Sequence, residues 1–104
     1  MRFLFIIRMQ TEAANAAAIA GKLGETIQSI VAGMKPESAY FTDSDGKRTA
    51  FIVVNMTDAS QLPEMAEPWF LAFNAEIEVH AVMVPEDLAK AGPAIEKAVK
   101  TYGS

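Results

Sequence analysis

The sequence predicts a single α+β domain in which strands and helices follow one another in the order βαββαβ, with further helices at the C-terminus. Short apolar runs fit four strands, and longer segments with apolar residues at helical spacing separate them. An Asp45-Gly46 pair between two strand patterns is typical of a tight hairpin. The length of 104 residues favours one domain over residues 1–104.

The first strand is predicted over residues 3–9, a near-continuous apolar run typical of a strand buried on both faces. A helix is expected to follow, with Thr11 as its N-terminal cap and Gly33 as its C-terminal stop. Its apolar residues recur at helical spacing and predict one buried stripe. That stripe comprises Ile19, Leu23, Ile27 and either Ile30 or Val31.

Two strands are predicted over residues 38–42 and 48–56, on either side of the hairpin turn. If Asp45 and Gly46 form the turn, Tyr40 and Phe51 face each other across the two strands. The turn therefore predicts which residues of the two strands pair, as well as how the strands are connected.

A helix over residues 59–73 is predicted next, and Asp58 with Gln61 resembles a capping box at its start. We expect a break or kink near Glu67-Pro68, because proline removes a backbone donor inside a helix. The fourth strand is predicted over residues 75–84.

The C-terminal segment predicts two helices. A short helix is expected to begin at Pro85, and Gly92-Pro93 is expected to break it. The last helix is then predicted to run to about Tyr102.

With right-handed connections, this order gives a ferredoxin-like antiparallel sheet with its main helices on one face. Period-two alternation divides the strand residues into two sets. The covered face, expected beneath the helices, comprises Phe3, Phe5, Ile7, Ala50, Ile52, Val54, Ile77, Val79, Ala81 and Met83. The opposite or open face comprises Leu4, Ile6, Arg8, Tyr40, Phe51, Val53, Asn55, Glu78, His80, Val82 and Val84.

The open face is apolar although no element of the βαββαβ core covers it. Burying each of its large side chains is worth roughly 1.5–3 kcal/mol, so a set of six rivals the stability of a small domain. An apolar sheet face of this kind is typical of an interface or a binding groove. We therefore expect self-association into a homodimer or larger assembly, with a C-terminal helix folding back over this face as the alternative.

The element order and the doubly apolar sheet resemble the dimeric α/β-barrel superfamily, in which two ferredoxin-like sheets face each other. Residues 50–84, with Glu67-Pro68-Trp69-Phe70 at their centre, resemble the second half of muconolactone isomerase. The whole chain also resembles a family of uncharacterised bacterial domains that share the segments 67–75 and 85–88. The resemblance implies a dimeric barrel.

Four polar residues form the only polar cluster expected on the open face. His80, the single histidine, could act as a general base near neutral pH, with Glu78 as a second candidate catalytic base. Arg8 and Asn55 are candidate ligand-binding residues, and we expect Asn55 near the same strand end as Arg8. The alternatives are a cross-strand Arg8–Glu78 ion pair and a hydrogen-bonded interface histidine.

Two aromatic residues could line a cleft for the same ligand. Tyr40 and Trp69 are candidate ligand-binding residues, although the helical spacing of Trp69 with its neighbours also fits the core. No metal site is predicted, because Asp43-Ser44-Asp45-Gly46 lacks the later ligands of a calcium loop and fits a hairpin turn. No cofactor is expected.

Composition excludes several classes of function. The formal net charge of −4 is unfavourable for nucleic-acid binding, which depends on clustered Lys and Arg. The sequence contains no Cys, which rules out disulfides and thiol catalysis and suits a cytoplasmic protein. No apolar stretch approaches the roughly 20 residues that cross a membrane.

Three hypotheses for function remain open. The first is a dimeric binding domain for a small apolar or aromatic anionic ligand, held between the sheet and the helices or at the dimer interface. The second is a cofactor-independent enzyme, such as an isomerase or a monooxygenase. The third is a structural module that buries the open face on another protein.

Overall fold

The computed structural model describes residues 1–104 as one four-stranded sheet with four helices. The strands alternate with the helices in the predicted order, which confirms the α+β class. The elements are β1 (Arg2–Arg8), α1 (Thr11–Ile19), α2 (Leu23–Met34), β2 (Ser38–Ser44), β3 (Lys47–Asn55), α3 (Gln61–Phe73), β4 (Glu76–Ala81) and α4 (Pro85–Tyr102).

The sheet order is β2-β3-β1-β4, and every neighbouring pair is antiparallel. This is the ferredoxin-like arrangement expected from the sequence. Leu4 lies opposite Val53 on one side and opposite His80 on the other, so all three side chains share the open face. Within the four strands the alternation of the two faces is as predicted, whereas Val82, Met83 and Val84, which were expected to extend it, lie beyond the end of β4.

The hairpin between β2 and β3 turns at Asp45 and Gly46, as predicted. Both residues have positive φ, at 58° and 72°, which is the backbone of a type I′ turn. This turn matches the twist of the strands, and it places Tyr40 opposite Phe51. The register of the hairpin is confirmed.

The core lies between the covered face and helices α1, α2 and α3. Trp69 of α3 is fully buried there, and its indole Nε1 lies 3.3 Å from the sulfur of Met34 in α2. The Trp69 ring also contacts Phe73, with 6.1 Å between ring centroids. The buried apolar residues are Phe5, Ile7, Met9, Ala14, Met34, Ala50, Ile52, Val54, Met56, Met65, Ala66, Trp69, Phe73 and Ala75.

The single helix expected after β1 is wrong, because the segment forms two helices. The chain leaves α1 at Gly21, whose φ of 73° only glycine adopts without strain. The N–H groups of Gly21 and Lys22 donate to the carbonyls of Ala18 and Ala17 respectively. These two bonds form a Schellman motif, which ends α1 and satisfies its last carbonyls.

The ends of these helices also differ from the expectation. Gln10 caps α1, since its side-chain oxygen accepts from the N–H of Ala13 at 2.8 Å, and Thr11 is already helical. α2 continues one residue past Gly33 and ends where Lys35 becomes left-handed. Ile19 is 89% exposed and does not belong to the buried stripe, because the break at Gly21 interrupts the helical spacing between Ile19 and Leu23.

Of the break or kink expected near Glu67-Pro68, the break is wrong, because α3 is continuous through Pro68. The proline lacks the N–H that would reach the carbonyl of Glu64, but Trp69 and Phe73 beyond it are fully buried. Their packing holds the second half of the helix in place. Ahead of α3, the Gln61 side chain accepts from the N–H of Asp58 at 3.1 Å, which is one of the two bonds of the expected capping box, while the Asp58 side chain accepts from the N–H of Ser60 and not from that of Gln61.

The C-terminal segment differs most from the prediction. β4 ends at Ala81, and α4 is one helix through Gly92 and Pro93 where two helices were expected. A proline inside a helix removes one backbone donor and crowds the preceding turn, and α4 nevertheless continues on both sides of Pro93. α4 has no buried residue, so it does not fold back over the open face.

No helix of the chain is both long enough and apolar enough to cross a lipid bilayer.

Candidate functional site

The middle of the open face is an apolar surface formed by the two central strands. Leu4 and Ile6 of β1 lie beside Val53 and Phe51 of β3, and all four side chains are only partly buried. Tyr40 extends this surface onto the edge strand β2 and is 70% exposed. Alternation along β1 and β3 brings these side chains together, because residues two apart point to the same face.

One end of the open face carries a hydrogen-bonded chain of polar side chains, which we call the Arg8 cluster (Arg8, Ser44, Glu78 and His80). Arg8 donates from Nη1 to Oε2 of Glu78 and from Nε to Oγ of Ser44, the latter at 3.2 Å. The other Glu78 oxygen lies 3.1 Å from Nε2 of His80. Both Glu78 oxygens are therefore engaged, and Arg8 and His80 are linked through one carboxylate.

The ionisation of the Arg8 cluster follows from these contacts. Hydrogen bonds from Arg8 and His80, with the charge of Arg8, lower the pKa of Glu78 below its ordinary range. The hydrogen bond to Glu78 raises the pKa of Arg8. A carboxylate with a lowered pKa is a weak base, so the geometry leaves His80 as the better candidate base and Glu78 as the group that orients it.

Two members of the site were not found from the sequence. Ser44 positions the Arg8 guanidinium, and Thr49, directly opposite Arg8 on β3, is 99% buried although polar. The sequence does contain a signal that places Ser44 and Thr49 on the open face, because the Asp45-Gly46 turn fixes which residues of β2 and β3 share that face. A second ion pair, Lys47 Nζ to Glu76 Oε1 at 3.2 Å, lies at the same end of the sheet.

Asn55 does not lie near Arg8, and this part of the prediction is wrong. In the antiparallel pair of β1 and β3, Asn55 lies opposite Arg2, whereas Arg8 lies opposite Thr49. Six residues of strand separate Arg2 from Arg8, or about 20 Å. The Asn55 side chain accepts from the amino group of Met1 at 2.6 Å.

The two candidate aromatic residues lie on opposite sides of the sheet. Tyr40 shares a row across the sheet with Phe51, Ile6 and Glu78, so it belongs to the same surface as the Arg8 cluster. Trp69 is fully buried beneath the covered face. The structure therefore brings Tyr40, Arg8, Glu78 and His80 onto one face, with Asn55 at the far end of that face and Trp69 on the other side of the sheet.

A cleft of about 450 Å³ lies elsewhere, between α2 and the β2–β3 side of the sheet. It offers apolar contacts from Ile27 and from Phe41, which is about half exposed. At its edge, Arg48 Nη1 donates to the side-chain oxygen of Asn15 at 2.8 Å. This cleft is the second place where an apolar group and a cation lie together, and none of the Arg8 cluster lines it.

Ligands for a metal ion do not converge anywhere in the chain. No group of three or more His, Cys, Asp or Glu side chains is placed to hold an ion. The chemistry that the Arg8 cluster can perform is anion binding by the guanidinium and proton transfer by the imidazole.

Comparison with known proteins identifies a family and no activity. No curated protein matches the chain. Among solved structures, the chain is similar to the de novo designed protein Ferredog-Diesel, with 12% identity and a TM-score of 0.43 over 77% of this chain and 83% of that one. A family model described as a domain of unknown function (DUF3303) matches residues 1–96. Because this match spans most of the sequence, the chain belongs to the DUF3303 family.

Proposed function

We propose that this protein is a homodimeric small-molecule-binding domain, in which the open faces of two chains face each other as in a dimeric α/β barrel. Its ligand is a small apolar or aromatic anion, bound between the two sheets beside the Arg8 cluster. The cysteine-free sequence fits a cytoplasmic location for this role.

The observation that supports the proposal is the contrast on the open face between an apolar centre and one polar end. Leu4, Ile6, Phe51 and Val53 form a contiguous surface without a helix over it. Monomeric proteins rarely leave such a surface in water, and a second sheet is the simplest cover for a flat one. Ligand pockets combine apolar walls with a few convergent polar groups, which is the composition found here.

The charge of the ligand follows from Arg8. Its guanidinium uses Nε and Nη1 for Ser44 and Glu78, and Nη2 has no partner within the chain. The side chain is 81% buried, so a ligand at this position meets a guanidinium that is already oriented. An aromatic carboxylate would place its charge on this edge and its ring over Ile6 and Phe51.

The dimer is tested by absolute mass in solution, with size exclusion and light scattering on the wild type, Phe51→Glu and Leu71→Glu. Leu71 is an exposed apolar residue of α3, so it matches the chemistry of the substitution away from the open face. We expect a dimeric wild type, a monomeric Phe51→Glu and a dimeric Leu71→Glu. A monomeric wild type overturns the dimer and favours a structural module with a different partner.

The ligand site is tested by amide NMR titration with benzoate and with benzyl alcohol, which share a ring and differ in charge. We expect benzoate to bind more tightly and to shift the amides of β1 and β4. Arg8→Met should remove the preference for benzoate, and Arg48→Met, in the α2–β2 cleft, should not. The opposite result would place the ligand in the cleft.

The contact between Glu78 and His80 supports a second candidate function, a cofactor-independent enzyme. In this proposal the imidazole removes a proton from a substrate whose charge Arg8 holds, as an isomerase or a monooxygenase of this kind would require. His80→Gln should then abolish turnover of a carboxylate with an acidic C–H while benzoate binding survives. Proton exchange of such a substrate into D2O that is equal for wild type and His80→Gln would exclude this candidate.

A further inference from the structure

The C-terminal helix α4 stands apart from the rest of the molecule. It has 18 residues, none of them buried, and no strand or other helix packs along it. The chain measures 59 × 28 × 21 Å, and its radius of gyration is 17.4 Å against about 13 Å for a compact domain of this length. α4 therefore projects from the body as an arm.

The arm is amphipathic along its whole length. Leu88, Ile95, Val99 and Tyr102 are spaced by seven, four and three residues, which places them on one face of a helix. All four are more than half exposed, and Tyr102 is 85% exposed. We call these four residues the arm stripe.

A helix of this composition needs a partner. Isolated helices of this length are marginal in water, and an interior proline costs about 3 kcal/mol relative to alanine. Pro93 lies in the middle of α4, directly after Gly92. The N-terminus of the helix is capped, since Asp87 accepts from the N–H of Val84 at 3.1 Å, and burial of the arm stripe is the further stabilisation that the helix offers.

A matching uncovered surface exists on β2, at the far side of the sheet. β2 is an edge strand, with one row of backbone groups unpaired, and its residues Tyr40 and Phe41 point to opposite faces. Both are more than half exposed. The arm follows β4, the strand at the opposite edge of the sheet, and does not pack on its own β2.

The charge and the apolar area of the arm bear on which partner fits it. Residues 85–102 contain three acidic and three basic side chains, so the arm is formally neutral and adds no repulsion between chains of net charge −4. Four side chains of this size present on the order of 400 Å² of apolar surface, and the strip on which they dock loses a similar area. A two-fold axis makes two such contacts in the dimer. Two arms with their docking strips would then bury roughly 1,600 Å², the area of a standard stable interface.

We propose that α4 is an exchanged arm: in the homodimer, its stripe packs along the edge strand β2 of a second copy of the chain, over Tyr40 and Phe41. This inference rests on the proposed dimer and adds to it a second contact region and a cover for the sheet edge. Consider two sheets that face each other and are related by a two-fold axis parallel to their strands. The rotation reverses the order of the strands across the sheet, so that β4 of one chain lies over β2 of the other. The root of the arm is then beside its docking strand.

The first experiment asks which chain the arm touches. A photoreactive benzophenone amino acid replaces Tyr102 in unlabelled protein, which is mixed with uniformly ¹⁵N-labelled wild type and irradiated. We expect cross-linked peptides that join an unlabelled arm to a ¹⁵N-labelled β2. If the subunits of the sample mix freely and every cross-link still lies within one unlabelled chain, the arm does not pack on a second copy and the proposal is wrong.

The second experiment measures what the arm adds to the dimer. Ile95→Glu with Val99→Glu places two charges on the arm stripe, and Ala94→Glu with Thr101→Glu places two on the other side of the same helix. By sedimentation velocity, we expect the stripe variant to raise the dimer Kd at least tenfold and the control to change it less than threefold. The body should stay folded in both, as judged by the environment of Trp69.

The outcomes separate this inference from the proposed function. If the stripe variant dimerises like the control while Phe51→Glu dissociates, the facing sheets remain and the exchanged arm is wrong. If the stripe variant dissociates while Phe51→Glu stays dimeric, the arm remains and the facing sheets are wrong.

Discussion

The two faces of this sheet are built from the same strands, and their central residues are similarly apolar. On β1 and β3 the covered face presents Phe5 and Ile52, and the open face presents Ile6 and Phe51. The first pair is fully buried and the second is half-buried. The comparison teaches that apolar content alone does not say what covers a sheet, because helices cover one face and nothing in the chain covers the other.

The largest expected effect comes from truncating one phenylalanine on each face. Phe5→Ala should lower the free energy of unfolding by about 3–5 kcal/mol, because it leaves a cavity in a closed core. Phe51→Ala should cost far less in dilute protein, because its ring already meets water. Urea unfolding of both variants, followed by circular dichroism, measures the difference.

Protein concentration sharpens this comparison. If Phe51 lies in a dimer interface, the cost of Phe51→Ala should grow as the concentration rises, since association stabilises only the folded chain. The cost of Phe5→Ala, taken at concentrations where the chain is monomeric, should stay the same. Equal costs for both variants in dilute protein would remove the distinction between the faces.

Adjacent valines on β3 give a smaller and more closely matched comparison. Val54 is fully buried on the covered face, and Val53 is partly exposed on the open face beside Leu4. Val54→Ala should cost about 2 kcal/mol and Val53→Ala less than about 1 kcal/mol. Thermal unfolding of dilute protein checks this, and a larger cost at Val53 would mean that a cover for the open face lies within the same chain.

The smallest expected effect concerns the polar end of the open face. Because the pKa of Glu78 is lowered in the folded chain, its contacts stabilise the protein above the ordinary carboxyl pKa of 4.5 and lose that effect as the pH falls through the folded pKa. Glu78→Gln should therefore lower Tm by about 2 °C at neutral pH and by less in acid.

The control for this pH dependence is Glu67→Gln, at an exposed carboxylate that makes no side-chain hydrogen bond or ion pair. It should leave Tm nearly unchanged at every pH. If the Tm difference between wild type and Glu78→Gln stays constant down to acid pH, the Arg8–Glu78–His80 chain does not form in solution.

Much of the fold could be predicted because its signals are local. Asp45 and Gly46 specify a turn whose backbone few other pairs adopt, and that turn fixes the register of β2 and β3. From the register and period-two alternation, the membership of the two faces follows. Tyr40, Arg8, Glu78 and His80 were assigned to one face in this way.

The remaining features depend on contacts that a local pattern does not contain. Gly21 lies within a helical pattern, and its role emerges only with the bonds from Gly21 and Lys22 that close α1. The end of the sheet at which Asn55 lies does not follow from its own strand, because its partner in β1 depends on the pairing of strands distant in sequence. α3 stays helical past Pro68 because Trp69 is buried in the core, which is a tertiary contact that the local sequence does not contain.

Pro93 sets the mechanical behaviour of the arm. Its missing N–H leaves the carbonyl of Ala89 without its usual intrahelical partner, so the bending stiffness of α4 is lowest at its midpoint. A straight helix contacts a twisted strand along only part of its length. A helix that bends at its centre can follow the twist of the strand, so that its residues on both sides of the bend reach the same curved surface.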